Sequence, residues 1–291
     1  MHSAVREAIL AIKSRYAEPM TLDELASSVF VSRYHFCRIF GKATGVTPGR
    51  YLAAVRMFEA KRLLLTTSLR VADIVCSVGY SSTGTFTTRF TSTVGLTPTQ
   101  YRDPDVRALL VSMAPDLLRL PSSGTLRDAG VELASPAVHC GGTVVVAAEL
   151  PPAVGPVQVL AGIYPQRIPQ CAPVAYRYGE MAGRGWITIA GVPAGRWHVW
   201  AVAGQVNGPR QWLLSGRSAS PVVVRPGQTT RAEVRFRELS PSDVPVALSL
   251  APLRNRSLGV QAPRLVRAVA RGDPTAVVFV PAMAARNAYC P

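Results

Sequence analysis

One pattern in this chain occurs twice, fifty positions apart: "YHFCRIFGKATGVTP" at 34–48 and "GTFTTRFTSTVGLTP" at 84–98. Phe36 aligns with Phe86, Phe40 with Phe90, Gly45 with Gly95, and Thr47-Pro48 with Thr97-Pro98. Phenylalanines four apart share one face of a helix. Glycine after such a run ends the helix in the left-handed region. Thr-Pro then restarts one, with threonine as N-cap and proline at the first position, where a missing N–H costs nothing. The repeat therefore commits the first hundred residues to two like helical units.

The flanking sequence fills out each unit. Thr21 caps "LDELASSV" and Glu24 completes a capping box. Leu22, Leu25, Ala26 and Val29 form the inward stripe of that helix, and a turn follows at Phe30-Val31. Ser32 caps the next helix, in which Phe36, Ile39 and Phe40 point inward. Arg33, Tyr34, Cys37 and Arg38 remain outward at its N-terminal end. In the second unit Val71, Ile74, Val75 and Val78 make the support helix, Gly79 opens the turn and Ser82 caps. Phe86, Phe90 and Val94 point inward there, leaving Thr83, Gly84, Thr87 and Thr88 outward. Two helices joined by a tight turn, with polar residues at the exposed start of the second, form a helix-turn-helix whose second helix enters the major groove.

In this arrangement Arg38 can fork onto a guanine edge, and threonine can make smaller contacts to a base or a thymine methyl. Ser32, Arg33, Lys42, Ser82 and Arg89 are candidate phosphate contacts, which position a protein on DNA without reading sequence. Lys61 and Arg62 read equally well as phosphate contacts or solvated surface, and His35 as a packing residue. The joining helix, Pro48 to about Thr66, spans roughly 28 Å at about 1.5 Å per residue. Adjacent major grooves on one face of DNA lie about 34 Å apart, so one chain can address both.

Residues 5 to about 102 resemble the DNA-binding domain of the AraC/XylS family of bacterial transcription regulators. The resemblance rests on "TLDELASSVFVSRYHFCRIFGKATGVTPGRYLAAVRMFEAKRLL" and on "VADIVCSVGYSSTGTFTTRFTSTVGLTPTQYR". It implies a sequence-specific regulator in which Tyr34, Cys37 and Arg38, and Thr83, Gly84, Thr87 and Thr88, face bases. The chain departs from the commoner pattern at Gly84 and Thr88, where longer polar side chains are frequent. The first unit is therefore expected to read sequence, and the second to add affinity. Double-stranded DNA is the expected partner. RNA polymerase, a small-molecule effector of unassigned identity and a second copy of the chain through the C-terminal domain are further candidates.

The formal net charge of +15 fits a polyanionic partner. Beyond residue 103 every basic residue is Arg, a pattern that base composition alone can produce. The five cysteines are widely spaced without a C-x-x-C pair, as expected of a reduced, cytoplasmic chain rather than a disulfide framework or zinc module. The N-terminus is an amphipathic helix with Val5, Ile9 and Ile12 inward. No uncharged apolar run is long enough to span a bilayer. An anionic membrane surface is the second candidate for the basic charge after nucleic acid, and with DNA as the expected partner no membrane partner is assigned.

After Asp103 the texture changes, and the expected architecture is an all-α double helix-turn-helix domain (1–103) followed by an all-β, sandwich-like domain (141–239). Between them, 104–140 reads as a linker with one helix over "DVRALLVSMAPDLLRL". "TVVVAAEL", "VQVLAGIY", "GWITIAGV", "RWHVWAVA", "PVVVRP" and "RAEVRFREL" read as strands of an antiparallel sandwich. "GWITIAGVPAGRWHVWAVA" and "VVVRPGQTTRAEVRF" resemble carboxypeptidase-regulatory-like or transthyretin-like modules. Trp186 and Trp197 are expected in the core, and Trp200 and Trp212 on the outer face, where a ligand or a second copy could sit. The extension 240–291 carries "SLGVQAPRLVRAVARG", readable as a helix, and "TAVVFVPAM", readable as a strand.

His139, Cys140, Cys171 and His198 are too scattered for a metal site, and no nucleophile–base pair or paired carboxylates stand out. No catalytic residue, metal or cofactor is assigned, and an enzyme is not expected. The C-terminal half reads first as a ligand sensor or contact domain, with a purely structural, oligomerising module without ligand and an enzymatic domain fused to a DNA-binding domain as the alternatives.

Overall fold

The computed structural model describes residues 3–114, 116–137, 140–152, 154–205 and 212–254. A helical N-terminal region precedes a β-rich region. The first helix, α1 (Ser3–Arg15), buries Val5, Ile9 and Ile12. Then come α2 (Leu22–Ser28), α3 (Arg33–Thr44), α4 (Pro48–Thr66), α5 (Val71–Ser77), α6 (Thr83–Val94) and α7 (Pro98–Tyr101). The internal repeat runs further than its letters first suggest. Phe36, Phe40 and Tyr51 form a chain of edge-on aromatic contacts at 5.5 Å each. Phe86, Phe90 and Tyr101 form the corresponding chain, tilted at 5.5 Å and then edge-on at 5.6 Å.

The joining helix α4 is buried on nearly every side. Its inner residues are split between the core of the first unit (Tyr51, Leu52, Val55) and that of the second (Met57, Ala60, Leu64). Phe58 packs instead on Leu110, Ala114 and Ala247 of the β-rich region.

The expected helix over "DVRALLVSMAPDLLRL" is confined to α8 (Pro104–Ala108). The chain then forms strands β1 (Leu110–Ala114) and β2 (Leu117–Arg119), followed by α9 (Ser123–Asp128). Every residue of β1 is buried, because α4 lies on one side and the sandwich on the other. A strand covered on both faces reads as an unbroken apolar run, which periodicity cannot tell from a buried helix.

The sandwich strands are β3 (Gly142–Glu149), β4 (Val157–Tyr164), β5 (Ala175–Met181), β6 (Arg184–Val192), β7 (Gly195–Gly204), β8 (Leu213–Arg217), β9 (Val222–Val224), β10 (Thr229–Arg235) and β11 (Arg237–Glu238). One sheet has the order β10-β3-β6 and the other β11-β8-β7-β4-β5, with β9 also pairing β7. The pairing is antiparallel except for β3 with β10, which run parallel over seven residues. The strands β5 and β8 were not anticipated; "AYRYGEM" and "LLSGR" carry too few apolar residues in alternation to show.

A third layer completes the body. Strand β12 (Val246–Ser249) pairs antiparallel with β1, giving the order β12-β1-β2. The C-terminal extension thus begins inside the fold, while "SLGVQAPRLVRAVARG" and "TAVVFVPAM" lie outside the described residues. Between the two sandwich sheets sits one core, with Trp197, Val199 and Ala201. Tyr164, Trp200 and Val202 form a second core against the β12-β1-β2 layer.

That layer corrects the tryptophan assignments. Trp200, expected on an outer face, is buried at 5 % exposure, whereas Trp186, expected in the core, is 66 % exposed. Trp212 is half-buried at the edge of the sandwich core.

Helical and β-rich regions share a polar seam. Lys61 of α4 is fully buried and donates to the Gln170 backbone oxygen (2.8 Å), Gln170 Oε1 (2.9 Å) and the Ala247 carbonyl (2.7 Å). The reading of Lys61 as surface or phosphate contact is overturned by this enclosure. Tyr51 Oη donates to the Asp243 carbonyl at 3.1 Å, and Lys13 Nζ to the Pro241 carbonyl at 2.7 Å.

Candidate nucleic-acid interface

Each recognition helix is set by the same local devices. Ser32 and Ser82 hydroxyls accept from the His35 and Thr85 amides at 3.4 and 3.3 Å, fixing the start of α3 and α6. Gly45 and Gly95 end them at φ 77° and 83°. The preceding helix α2 begins with the expected capping box, Thr21 and Glu24 exchanging bonds at 2.7 and 3.2 Å. The two turns differ. The second uses Gly79 at φ 78°, while the first places Phe30 at φ 56° with its ring 95 % exposed. Sequence gave one signal for this: Phe30 stands where the second unit has glycine.

On α3, Ser32, Arg33, Tyr34, Arg38 and Lys42 are exposed and Cys37 is half-buried. Tyr34 is 82 % exposed. Arg38 Nη2 lies 3.3 Å from His35 Nδ1, and Arg33 Nη1 lies 3.7 Å from Asp23 Oδ2 across the turn. Exposed pairs of this kind are weak, so a phosphate can compete for Arg33. On α6, Ser82, Thr83, Gly84, Thr88 and Arg89 are exposed and Thr87 is half-buried. Thr85 is exposed beside them and belongs to the same surface. The β-rich region covers neither N-terminal half.

The two units are also tied to each other. Arg56 of α4 donates from Nε to the Tyr16 carbonyl (2.6 Å) and from Nη2 to the Glu18 carbonyl (2.8 Å). Its guanidinium lies 5.9 Å from the Tyr80 ring centre of the second unit. The result is a pair of recognition helices with matching caps, mounted on one 19-residue helix.

Residues 25–104 match the family model described as a helix-turn-helix domain. The HTH-type transcriptional activator AarP of Providencia stuartii is 31 % identical over 103 residues, covering 35 % of this chain and 76 % of AarP. The lactose operon transcription activator of Staphylococcus xylosus is 33 % identical over 98 residues, covering 34 % of this chain and 35 % of that protein. The chain thus spans about a third of the length of that activator. The C-terminal domain of the two-component response regulator yesN from Fusobacterium nucleatum is 32 % identical, with a TM-score of 0.34, covering 35 % of this chain and all of that one. With its doubled helix-turn-helix, its shared central helix and its coverage of AarP, this chain belongs to the AraC/XylS family.

Proposed function

We propose that the protein is a sequence-specific DNA-binding transcription regulator whose α3 and α6 enter adjacent major grooves. The observation that carries this reading is the placement of two uncovered helix N-termini on one central helix, α4, of about 28 Å. That length is comparable with the groove repeat of about 34 Å, and the two recognition helices pack against its two halves. In this reading Tyr34, Cys37 and Arg38 read bases, with Arg38 dominant. Thr83, Gly84, Thr87 and Thr88 make small contacts in the second groove. Ser32, Arg33, Lys42, Ser82 and Arg89 meet phosphates.

The β-rich region serves as sensor or contact surface rather than as a catalyst, with an effector, RNA polymerase or a second copy as its partners. No helix among the described residues is long and apolar enough to cross a membrane, and the reading requires access to DNA. Selection of bound sites from random DNA tests it directly. The Arg38→Ala variant is expected to lose about 1–3 kcal/mol of affinity and to relax preference at a few base pairs. An unchanged site preference in that variant removes Arg38 from the readers, and unselective binding by the parent chain removes the reading altogether.

A further inference from the structure

We propose that a cavity of about 250 Å3 in the β-rich region binds a small oxyanion, a phosphate or carboxylate, through Arg167 and Arg217, the two lining side chains that also reach the end of α3. Four arginines line it, Arg167, Arg217, Arg235 and Arg237, against one carboxylate, Asp243. That carboxylate is already committed: Arg237 holds it with both Nη atoms, at 2.7 and 2.6 Å. Arg235 reaches outward, 82 % exposed, toward Glu149.

Arg167 and Arg217 are left with little. Each guanidinium carries five N–H donors. Arg167 Nη1 donates to the Ala219 carbonyl at 3.3 Å, and Arg217 Nη2 to the Thr44 carbonyl at 3.5 Å. Among the described residues the buried Arg167 Nε has no hydrogen-bond partner, and neither arginine forms an ion pair. Burial first, and then the neighbouring Arg167, pushes the Arg217 pKa down, against a smaller upward pull from Asp243; burial, and after it Arg167, likewise lowers that of His198. Two half-buried cations that repel each other, with the only nearby carboxylate, Asp243, bound directly by Arg237, are costly to hold. An oxyanion between them supplies charge-assisted, bidentate acceptors.

The volume lies just under the roughly 300 Å3 at which ligand pockets ordinarily begin, which limits the occupant to a small anion. Trp200, Met113 and Val246 give the cavity an apolar wall. The indole N–H of Trp200 is taken by Ser215 Oγ at 3.1 Å, so that wall leaves recognition to the arginines.

The same two side chains touch the recognition helix. Arg167 packs over Gly45, leaving no room for a Cβ there, and Arg217 reaches the carbonyl of Thr44. Both sit at the negative end of the α3 dipole. An anion in the cavity competes with that helix end for the same guanidiniums. Binding stands independently of the regulator reading; a consequence for DNA recognition rests on it.

The test uses the full chain without DNA and two probes, inorganic phosphate and succinate, each against chloride at matched ionic strength. A saturable rise in Tm is expected with at least one probe, about 5 °C at a hundredfold excess over Kd, and which probe acts identifies the anion class. The rise should vanish in Arg167→Gln/Arg217→Gln and persist in Arg127→Gln, an exposed control, and in Arg38→Gln on the DNA face. Should the double variant fold poorly, arginine-directed dicarbonyl labelling of the parent chain, mapped by mass spectrometry, gives an independent answer. The active probe should slow labelling of Arg167 and Arg217 but not Arg127. Neither probe exceeding chloride, equal shifts in a folded double variant, or uniform labelling would each overturn the proposal. None of these outcomes bears on whether α3 and α6 read DNA.

Discussion

Phe30 occupies a backbone region that costs a side chain with a Cβ about 1–2 kcal/mol, yet its ring is 95 % exposed and returns little by burial. Phe30→Gly removes the strain and adds back some chain entropy. It should raise stability by about 0.5–1 kcal/mol, read as a higher urea midpoint at unchanged m-value. A fall in DNA affinity in the same variant would assign the exposed ring to the interface. The opposite substitution in the second turn has the opposite sign. At Gly79, φ is 78° and a Cβ would lie 2.6 Å from the Ala17 carbonyl oxygen. Gly79→Ala should cost about 2 kcal/mol or more, because backbone on both sides must shift.

Among the elements, α3 and α6 share scaffold letters and differ where they face outward. If α6 adds affinity rather than information, Thr87→Ala/Thr88→Ala should weaken binding evenly across a panel of sites. A loss confined to a few base pairs would make α6 a reader. The helical elements were legible in sequence because caps and core letters are local: Thr21-Glu24, Ser32, Gly45 and Thr47-Pro48 each mark a boundary by their own chemistry. Outward positions followed from helical period alone, and Tyr34, Arg38, Thr83 and Thr88 are exposed as that period requires. The β1 strand was not legible because a doubly covered strand has no polar phase. The place of Trp200 followed from the same omission: without β1 and β12, nothing covers that face of β7. Arg167 and Arg217 carry no local signature either, since they meet α3 only through tertiary contact.

For the molecule as a whole, Lys61 is the test of how the two regions hold together. Its three N–H bonds meet three carbonyl oxygens, matching the ammonium form, while burial pushes its pKa down to about 7 from 10.5. Between those values the unfolded chain binds more protons than the folded one. Stability therefore rises as pH increases through this window, by up to about 1.4 kcal/mol per pH unit. Chemical denaturation at pH 7, 8 and 9 should show that rise, and Lys61→Met should abolish it. At pH 7 the same variant should lose about 2–3 kcal/mol, because the carbonyls of Gln170 and Ala247 are left bare. A flat parent profile would mean that the amine stays charged throughout.

The enclosure of α4 also sets what can be transplanted from this protein. A cut after residue 104 follows the edge of the family match, yet it would uncover Phe58 and Lys61, whose partners lie on β1, β12 and the Gln170 loop. The portable DNA-binding cassette is thus discontinuous in sequence. Grafting it onto another sensor means carrying one strand that precedes the sandwich in sequence and one that follows it, or redesigning one face of the central helix for life in water.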